Sequence, residues 1–226
     1  MNNPEKTLLP IVVLISGTGS NLQAIIDAIE HDALPVTICA VISNRADAEG
    51  LTRARQAGIK TYTLEHKAYN DRAQFDTALL ALIDSQQPAL VVLAGFMRIL
   101  TREFVEHYTG RLINIHPSLL PELPGLDTHR RAIAAHKTLH GASVHFVTTE
   151  VDGGPVILQA SVPVEHDDTP ERLAARVLVQ EHVIYPLAIR WFAEHRLSLR
   201  DGNVILDNKP LRRPVLLKTQ SEVNAL

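Results

Sequence analysis

The chain has 226 residues, 46% of them apolar and 21% charged, with a formal net charge of -3. That mix is globular rather than disordered, and the length suffices for a real core in one large domain or two small ones. The small charge leaves no electrostatic footprint for nucleic acid or an anionic membrane, and the chain has neither a membrane-length apolar stretch nor a signal-peptide layout in Met1 to Lys6.

Leu8 to Ile15 reads as a buried strand, followed by a helix over Asn21 to Glu30 whose Leu22, Ile25, Ile26 and Ile29 fall at i, i+3, i+4 and i+7. Val36 to Ile42 is a second buried strand. It carries the one cysteine, Cys39, which reads as core filler and can form no internal disulfide. A helix over Ala48 to Ala57 ends at Gly58, the position of a helix C-terminal glycine, before a short strand at Thr61 to Leu64. Arg72 to Ser85 is helical and Ala89 to Leu93 a further strand. Repeated strand–helix units of this length imply right-handed crossovers, hence a Rossmann-like, mostly parallel α/β sheet flanked by helices. Ligands in such sheets gather beyond the carboxyl ends of the strands.

The second half changes character. Ser143 to Thr148 and Val156 to Val164 read as antiparallel strands joined through the turn Asp152-Gly153-Gly154-Pro155. A long helix spans Pro170 to Ala193, with Thr169 as N-cap and Pro170 at the first helical position; Pro186 is expected to kink or divide it. Leu197 to Leu211 reads as a hairpin turning at Asp201-Gly202, and the tail after Pro214 has little to bury. With no repeat or low-complexity linker, one domain over 1–226 is expected, with a phosphate-binding half at about 8–108 and a catalytic half at about 109–210.

Three segments could carry chemistry. Ser16-Gly17-Thr18-Gly19-Ser20-Asn21 joins the first strand to the first helix, where glycines allow close approach and free N–H groups point at an anion. Ser20 and Gln23 have capping-box spacing. The loop lacks the lysine of a Walker motif and the last glycine of a dinucleotide fingerprint, so a phosphate monoester fits it better than a dinucleotide; a ligand-free glycine turn is the bland alternative. The run Val91 to Leu100 outlasts an ordinary strand. Phe96 to Leu100 suit a flat slot for an aromatic ligand or simple core packing, and Arg98 among them needs a partner. In Asn114-Ile115-His116-Pro117-Ser118-Leu119-Leu120-Pro121, Asn114 and His116 point to one face of a strand that the prolines must stop. An amide donor beside an imidazole suits acyl transfer, and a turn asparagine beside a structural histidine suits the same residues equally well. Asp152 sits at a turn, where aspartate is common, but a carboxylate brought near His116 favours the imidazolium form. Eleven histidines invite a metal reading, yet none of the zinc spacings occurs, so no metal is expected.

Taken together, these segments resemble the folate-dependent glycinamide ribonucleotide transformylases of purine synthesis, within the wider formyltransferase superfamily. The likeness runs from about residue 9 to 207 through Ser16 to Leu22, Leu93 to Leu100, Asn114 to Pro121, His145-Phe146-Val147 and Asp152 to Pro155. The resemblance implies that Asn114, His116 and Asp152 are catalytic. It also implies that Gly19, Ser20 and Asn21 hold the ribonucleotide phosphate and that Glu181, otherwise an exposed helical charge, binds its ribose. Arg72, Met97, Arg98, Ile99, Leu100 and Asn114 are implied to meet the folate, with Thr148, Thr149, Glu150, Val151 and Asp152 closing round its pterin ring. Thr18, Asp127 and Thr149 depart from residues common in the family, a matter of affinity rather than reaction type.

The implied reaction passes a formyl group from 10-formyltetrahydrofolate, a co-substrate, to the amine of glycinamide ribonucleotide. Small molecules are then the expected partners of a cytoplasmic monomer or homodimer. The rivals are a formyltetrahydrofolate hydrolase, for which an amino-terminal regulatory domain is expected, and a non-catalytic nucleotide-binding module that leaves the trio idle.

Overall fold

The structure, a computed structural model, describes residues 8–217. Eight strands form one sheet in the order β3-β2-β1-β4-β5-β6-β7-β11. They are β1 (Leu9–Ile15), β2 (Val36–Ser43), β3 (Thr61–Thr63), β4 (Leu90–Leu93), β5 (Leu112–His116), β6 (Leu139–Phe146), β7 (Val156–Pro163) and β11 (Val215–Leu217). Among the described residues only β6 runs against the rest of this sheet: it pairs antiparallel with both β5 and β7, and every other pairing is parallel. A small antiparallel sheet of β8 (Leu197–Arg200), β9 (Asn203–Leu206) and β10 (Lys209–Pro210) follows. The helices are α1 (Ser20–His31), α2 (Glu49–Gln56), α3 (Arg72–Asp84), α4 (Arg102–His107), α5 (Thr128–Ala134) and α6 (Pro170–Ala193).

The strand alternation of β1 builds both halves of the core. Ile11, Val13 and Ile15 enter an apolar cluster with Leu22 and Ile25 of α1 and with Ile184 and Trp191 of α6. Val12 and Leu14 enter a second cluster with Phe75 and Leu79 of α3 and Phe104 of α4. A strand covered on both faces must be apolar throughout, which is why β1, β2 and β4 read as unbroken hydrophobic runs.

Helix α6 begins where its sequence signals place it, with the Thr169 hydroxyl accepting from the Arg172 N–H at 3.3 Å. Pro186 does not divide it. An internal proline costs about 3 kcal/mol, but Ile184, Tyr185, Leu187, Ala188, Ile189 and Trp191 are all buried around it. At roughly 1.5–3 kcal/mol for each large apolar side chain, that burial outweighs the lost hydrogen bond. The Tyr185 hydroxyl faces the carbonyls of Leu93 (2.9 Å) and Ile113 (3.2 Å), tying α6 to the carboxyl end of β4 and the start of β5.

Three further expectations need correction. Ser20 is not the N-cap of α1: Gly19 is, at φ 72 with no side-chain cap, and Gln23 donates to Asp27 instead. Leu139 to Ala142, unassigned from sequence, begin β6. Val215 to Leu217, read as part of a loose tail, form an eighth strand along β7, while the rest of that tail lies outside the described residues. No helix among the described residues is long and apolar enough to cross a membrane.

Candidate active site

The chain runs outward from β1 to β3 and then returns to place β4 on the other side of β1. The crevice at the carboxyl ends of β1 and β4 is therefore a topological switch point, where open α/β sheets bind ligands. A cavity of about 430 Å³ lies there, lined by the loop Ser16 to Asn21, by Asn44 and Arg45 beyond β2, by His66, and by Ala94, Gly95 and Met97 beyond β4. With Gly19 as an uncapped start, the first backbone N–H groups of α1 have no capping side chain. That loop rests on α2: the Gly50 N–H donates to Gly17 O at 3.0 Å, and a Cβ on Gly50 would lie 2.6 Å from Ile15 Cδ1 and 3.0 Å from Gly19 Cα.

Asn21 and Glu181, 160 residues apart, meet beside this loop. Asn21 Nδ2 donates to Glu181 Oε2 at 2.6 Å, and both residues are buried. Glu181 is thus no exposed helical charge; burial pushes its carboxyl above the ordinary carboxylate range, against the smaller opposing pull of the Asn21 hydrogen bond. Ser16 Oγ donates to Asn44 Oδ1 at 2.6 Å and accepts from the Met97 N–H at 2.8 Å, joining the phosphate-type loop to the loop after β4.

The second cluster lies at the carboxyl end of β5. Asn114 and His116 share a face of that strand, and the chain turns at once, with Ser118 N–H donating to His116 O at 2.9 Å. Asp152, at φ 53 in the loop after β6, brings Oδ2 to 3.4 Å from His116 Nδ1. The other ring nitrogen, His116 Nε2, lies 3.1 Å from Leu123 O. Both imidazole nitrogens thus face acceptors, an arrangement satisfied by a doubly protonated ring. Asp152 Oδ2 is itself held by the Gly125 N–H at 2.8 Å. Gly154, two residues on, must be glycine, because a Cβ there would lie 1.8 Å from Phe146 O.

Loops near the two clusters carry exposed apolar side chains. Met97 and Ile99 follow β4, Leu126 belongs to the loop that carries Gly125, and Val151 precedes Asp152; all four are more than half exposed. Arg98 finds its partner in the Phe75 ring, 4.5 Å from its guanidinium carbon, while its Nε has no hydrogen-bond partner among the described residues. Leu100 is half-buried, whereas Thr149, Glu150 and Arg72 are exposed at the surrounding loops. Thr148 Oγ1 reaches Glu150 O at 3.4 Å.

Sequence reasoning missed several supports. Asp76 in α3 is buried and accepts the Thr101 N–H at 2.5 Å, anchoring the end of the Met97 to Leu100 loop; burial pushes its carboxyl up against the opposing influence of Thr101, Arg98 and Arg72. Gly50 and Asn44 had no local signal at all. His145 stands opposite Asn114 in the β5–β6 ladder, a neighbour relation that appears only once register is known. Among the described residues no group of three or more His, Cys, Asp and Glu side chains is placed to hold a metal ion.

An amide, an imidazole and a carboxylate thus come together in the part of the molecule that also carries an anion-type loop and exposed apolar side chains. Comparison with known proteins shows the class of protein: residues 9–189 match the model of the formyl transferase family, and the chain belongs to that family. It is 58% identical to the phosphoribosylglycinamide formyltransferase of Escherichia coli K12 over 201 residues, 89% of this chain and 95% of that protein. It is 43% identical to a human trifunctional purine biosynthetic protein, of which the match covers 20%. Among solved structures, the phosphoribosylglycinamide formyltransferase of Coxiella burnetii superposes with a TM-score of 0.90 at 54% identity, covering 93% of this chain and 99% of that one. A formyltetrahydrofolate deformylase from Pseudomonas syringae superposes at 0.82 with 27% identity, covering 88% of this chain and 66% of that one.

Proposed function

We propose that this protein moves a formyl group from 10-formyltetrahydrofolate to the primary amine of glycinamide ribonucleotide, a step of purine synthesis. The observation that carries the reading is the convergence of Asn114, His116 and Asp152, with 3.4 Å between His116 Nδ1 and Asp152 Oδ2. The names of the closely similar relatives support the ribonucleotide as formyl acceptor.

In this reading the cavity at Gly19, Ser20 and Asn21 receives the ribonucleotide phosphate on the free N–H groups of α1, and Glu181 takes the ribose hydroxyls. The slot formed by Met97, Arg98, Ile99 and Leu100, with Arg72 at its edge, receives the folate, and Thr148 to Asp152 close over its ring. When the amine attacks the formyl carbon, negative charge develops on the formyl oxygen. Asn114 donates an N–H to that oxygen and His116, as imidazolium, neutralises it. Asp152, whose carboxylate faces His116 Nδ1 at 3.4 Å, carries the proton released by the attacking nitrogen toward the leaving folate nitrogen. The bonds balance without a covalent enzyme intermediate: one C–N bond forms, one breaks, and one proton moves between the two nitrogens.

A folate hydrolase would use the same trio with water in place of the amine. Incubation with 10-formyltetrahydrofolate, with and without glycinamide ribonucleotide, separates the two. Deformylation that requires the ribonucleotide and yields formylated ribonucleotide mole for mole is expected; deformylation indifferent to it would overturn the reading.

A further inference from the structure

His145 has no part in the reaction just described, yet it is buried to 2% exposure beside the site, and both its nitrogens are engaged. Its Nδ1 lies 2.9 Å from the carbonyl of Phe146, which can only accept, so Nδ1 carries a proton. That carbonyl is fixed in turn, because the backbone of Gly154 packs directly against it. Burial pushes the imidazole below its ordinary value, more strongly than Phe146 and Asp152 pull it up, so the ring is neutral. A neutral ring with its proton on Nδ1 leaves Nε2 bare, and the atom facing Nε2, at 3.2 Å, is Nδ2 of Asn114. Asp152 Oδ1 lies 3.8 Å from the same Nε2, beyond hydrogen-bond range.

We propose that His145 is a positioning residue that fixes which way the Asn114 amide faces. A bare Nε2 accepts only from the NH2 end of Asn114, so the ladder partner selects one of the two amide orientations. One N–H then goes to His145 and the second is left for the oxygen on which charge develops. A flipped amide would present Oδ1 at the position that should donate and would repel that charge. The chain of constraint runs from Gly154 to Phe146 O, to His145, to Asn114. The inference rests on the formyl-transfer reading, because it concerns the orientation of a donor used in that reaction.

The test combines kinetics with a spectroscopic readout on the intact protein. In wild type, the 15N shifts of His145 should show a protonated Nδ1 and a bare Nε2 at neutral pH; a protonated Nε2 would overturn the proposal even if every variant failed to fold. His145→Phe should lower kcat about ten- to a hundredfold, part of the loss expected for a missing oxyanion donor, with KM for both substrates nearly unchanged. His145→Gln, whose amide oxygen can accept near the Nε2 position, should restore most of kcat. In the double variant with Asn114→Ala, His145→Phe should add little further loss, since it acts through a group already removed. An unchanged kcat in His145→Phe, or penalties that multiply in the double variant, would overturn the inference alone. Wild-type protein that fails to formylate the ribonucleotide would overturn the functional reading as well.

Discussion

At the scale of single residues, the account turns on how each polar group near the site is held. His116 faces an acceptor at each nitrogen, Asp152 is pinned by the Gly125 N–H, and Glu181 is paired with Asn21. The Glu181 pairing yields a direct prediction. Glu181→Gln keeps an acceptor for Asn21 but loses the ionisable carboxyl offered to the ribose. KM for glycinamide ribonucleotide should rise about tenfold, the loss of one hydrogen bond to a charged group, while KM for formyl-folate stays constant; steady-state kinetics with each substrate varied checks it. The shared face of Asn114 and His116 was legible in the sequence because alternation in a short strand and two stopping prolines are local patterns, whereas Asp152 read only as a turn residue and was grouped with them by the family resemblance. His145 was not legible, because its place beside Asn114 depends on the register of two strands that sequence does not fix.

At the scale of elements, short-range signals decided what could be read. Helix α6 was legible to its ends through its N-cap, first-turn proline and long periodicity. Helices α4 and α5 span only six and seven residues, too few turns for a periodic pattern to stand out. The start of α1 was misread because Gly19 takes the left-handed cap position against Gly50, a contact from another element. Two predictions belong here. Gly50→Ala places its Cβ against Ile15 and the Gly19 backbone, so overpacking should destabilise the fold by about 1–3 kcal/mol and raise KM for the ribonucleotide; a thermal melt and kinetics would show both. Where β6 meets α5, His140 is buried with Nε2 at 3.1 Å from His129 Nδ1, and its imidazole is pushed down to about 4, first by burial and then by His129 and His116. The unfolded chain protonates this group near 6.5 and the folded one only near 4. Stability contributed by the neutral ring is therefore present above about pH 6.5 and lost as pH falls toward about 4. His140→Phe should flatten the stability–pH curve across that window, measured by denaturant unfolding at several pH values.

At the scale of the whole molecule, the sheet brings together what the chain keeps apart. The anion-type loop follows β1, the exposed Met97 and Ile99 follow β4, Asn114 and His116 lie in β5, and Asp152 comes from the loop after β6. The parallel part of that plan was legible from alternating strand and helix patterns. The reversal at β6 was legible as an antiparallel pair, but not that among the described residues β6 alone runs against the rest of the large sheet. The Ser16–Asn44–Met97 hydrogen bonds and the Tyr185 tie across β4 and β5 make one scaffold of the loops after β1, β2 and β4 with α6 and β5. The central claim, that this scaffold exists to run formyl transfer through Asn114, His116 and Asp152, is tested most directly by turnover in Asp152→Asn. The account predicts that kcat for glycinamide ribonucleotide formylation falls at least about a hundredfold, the scale of losing one transition-state interaction, with the thermal midpoint close to wild type. Near-wild-type turnover in that variant would contradict it.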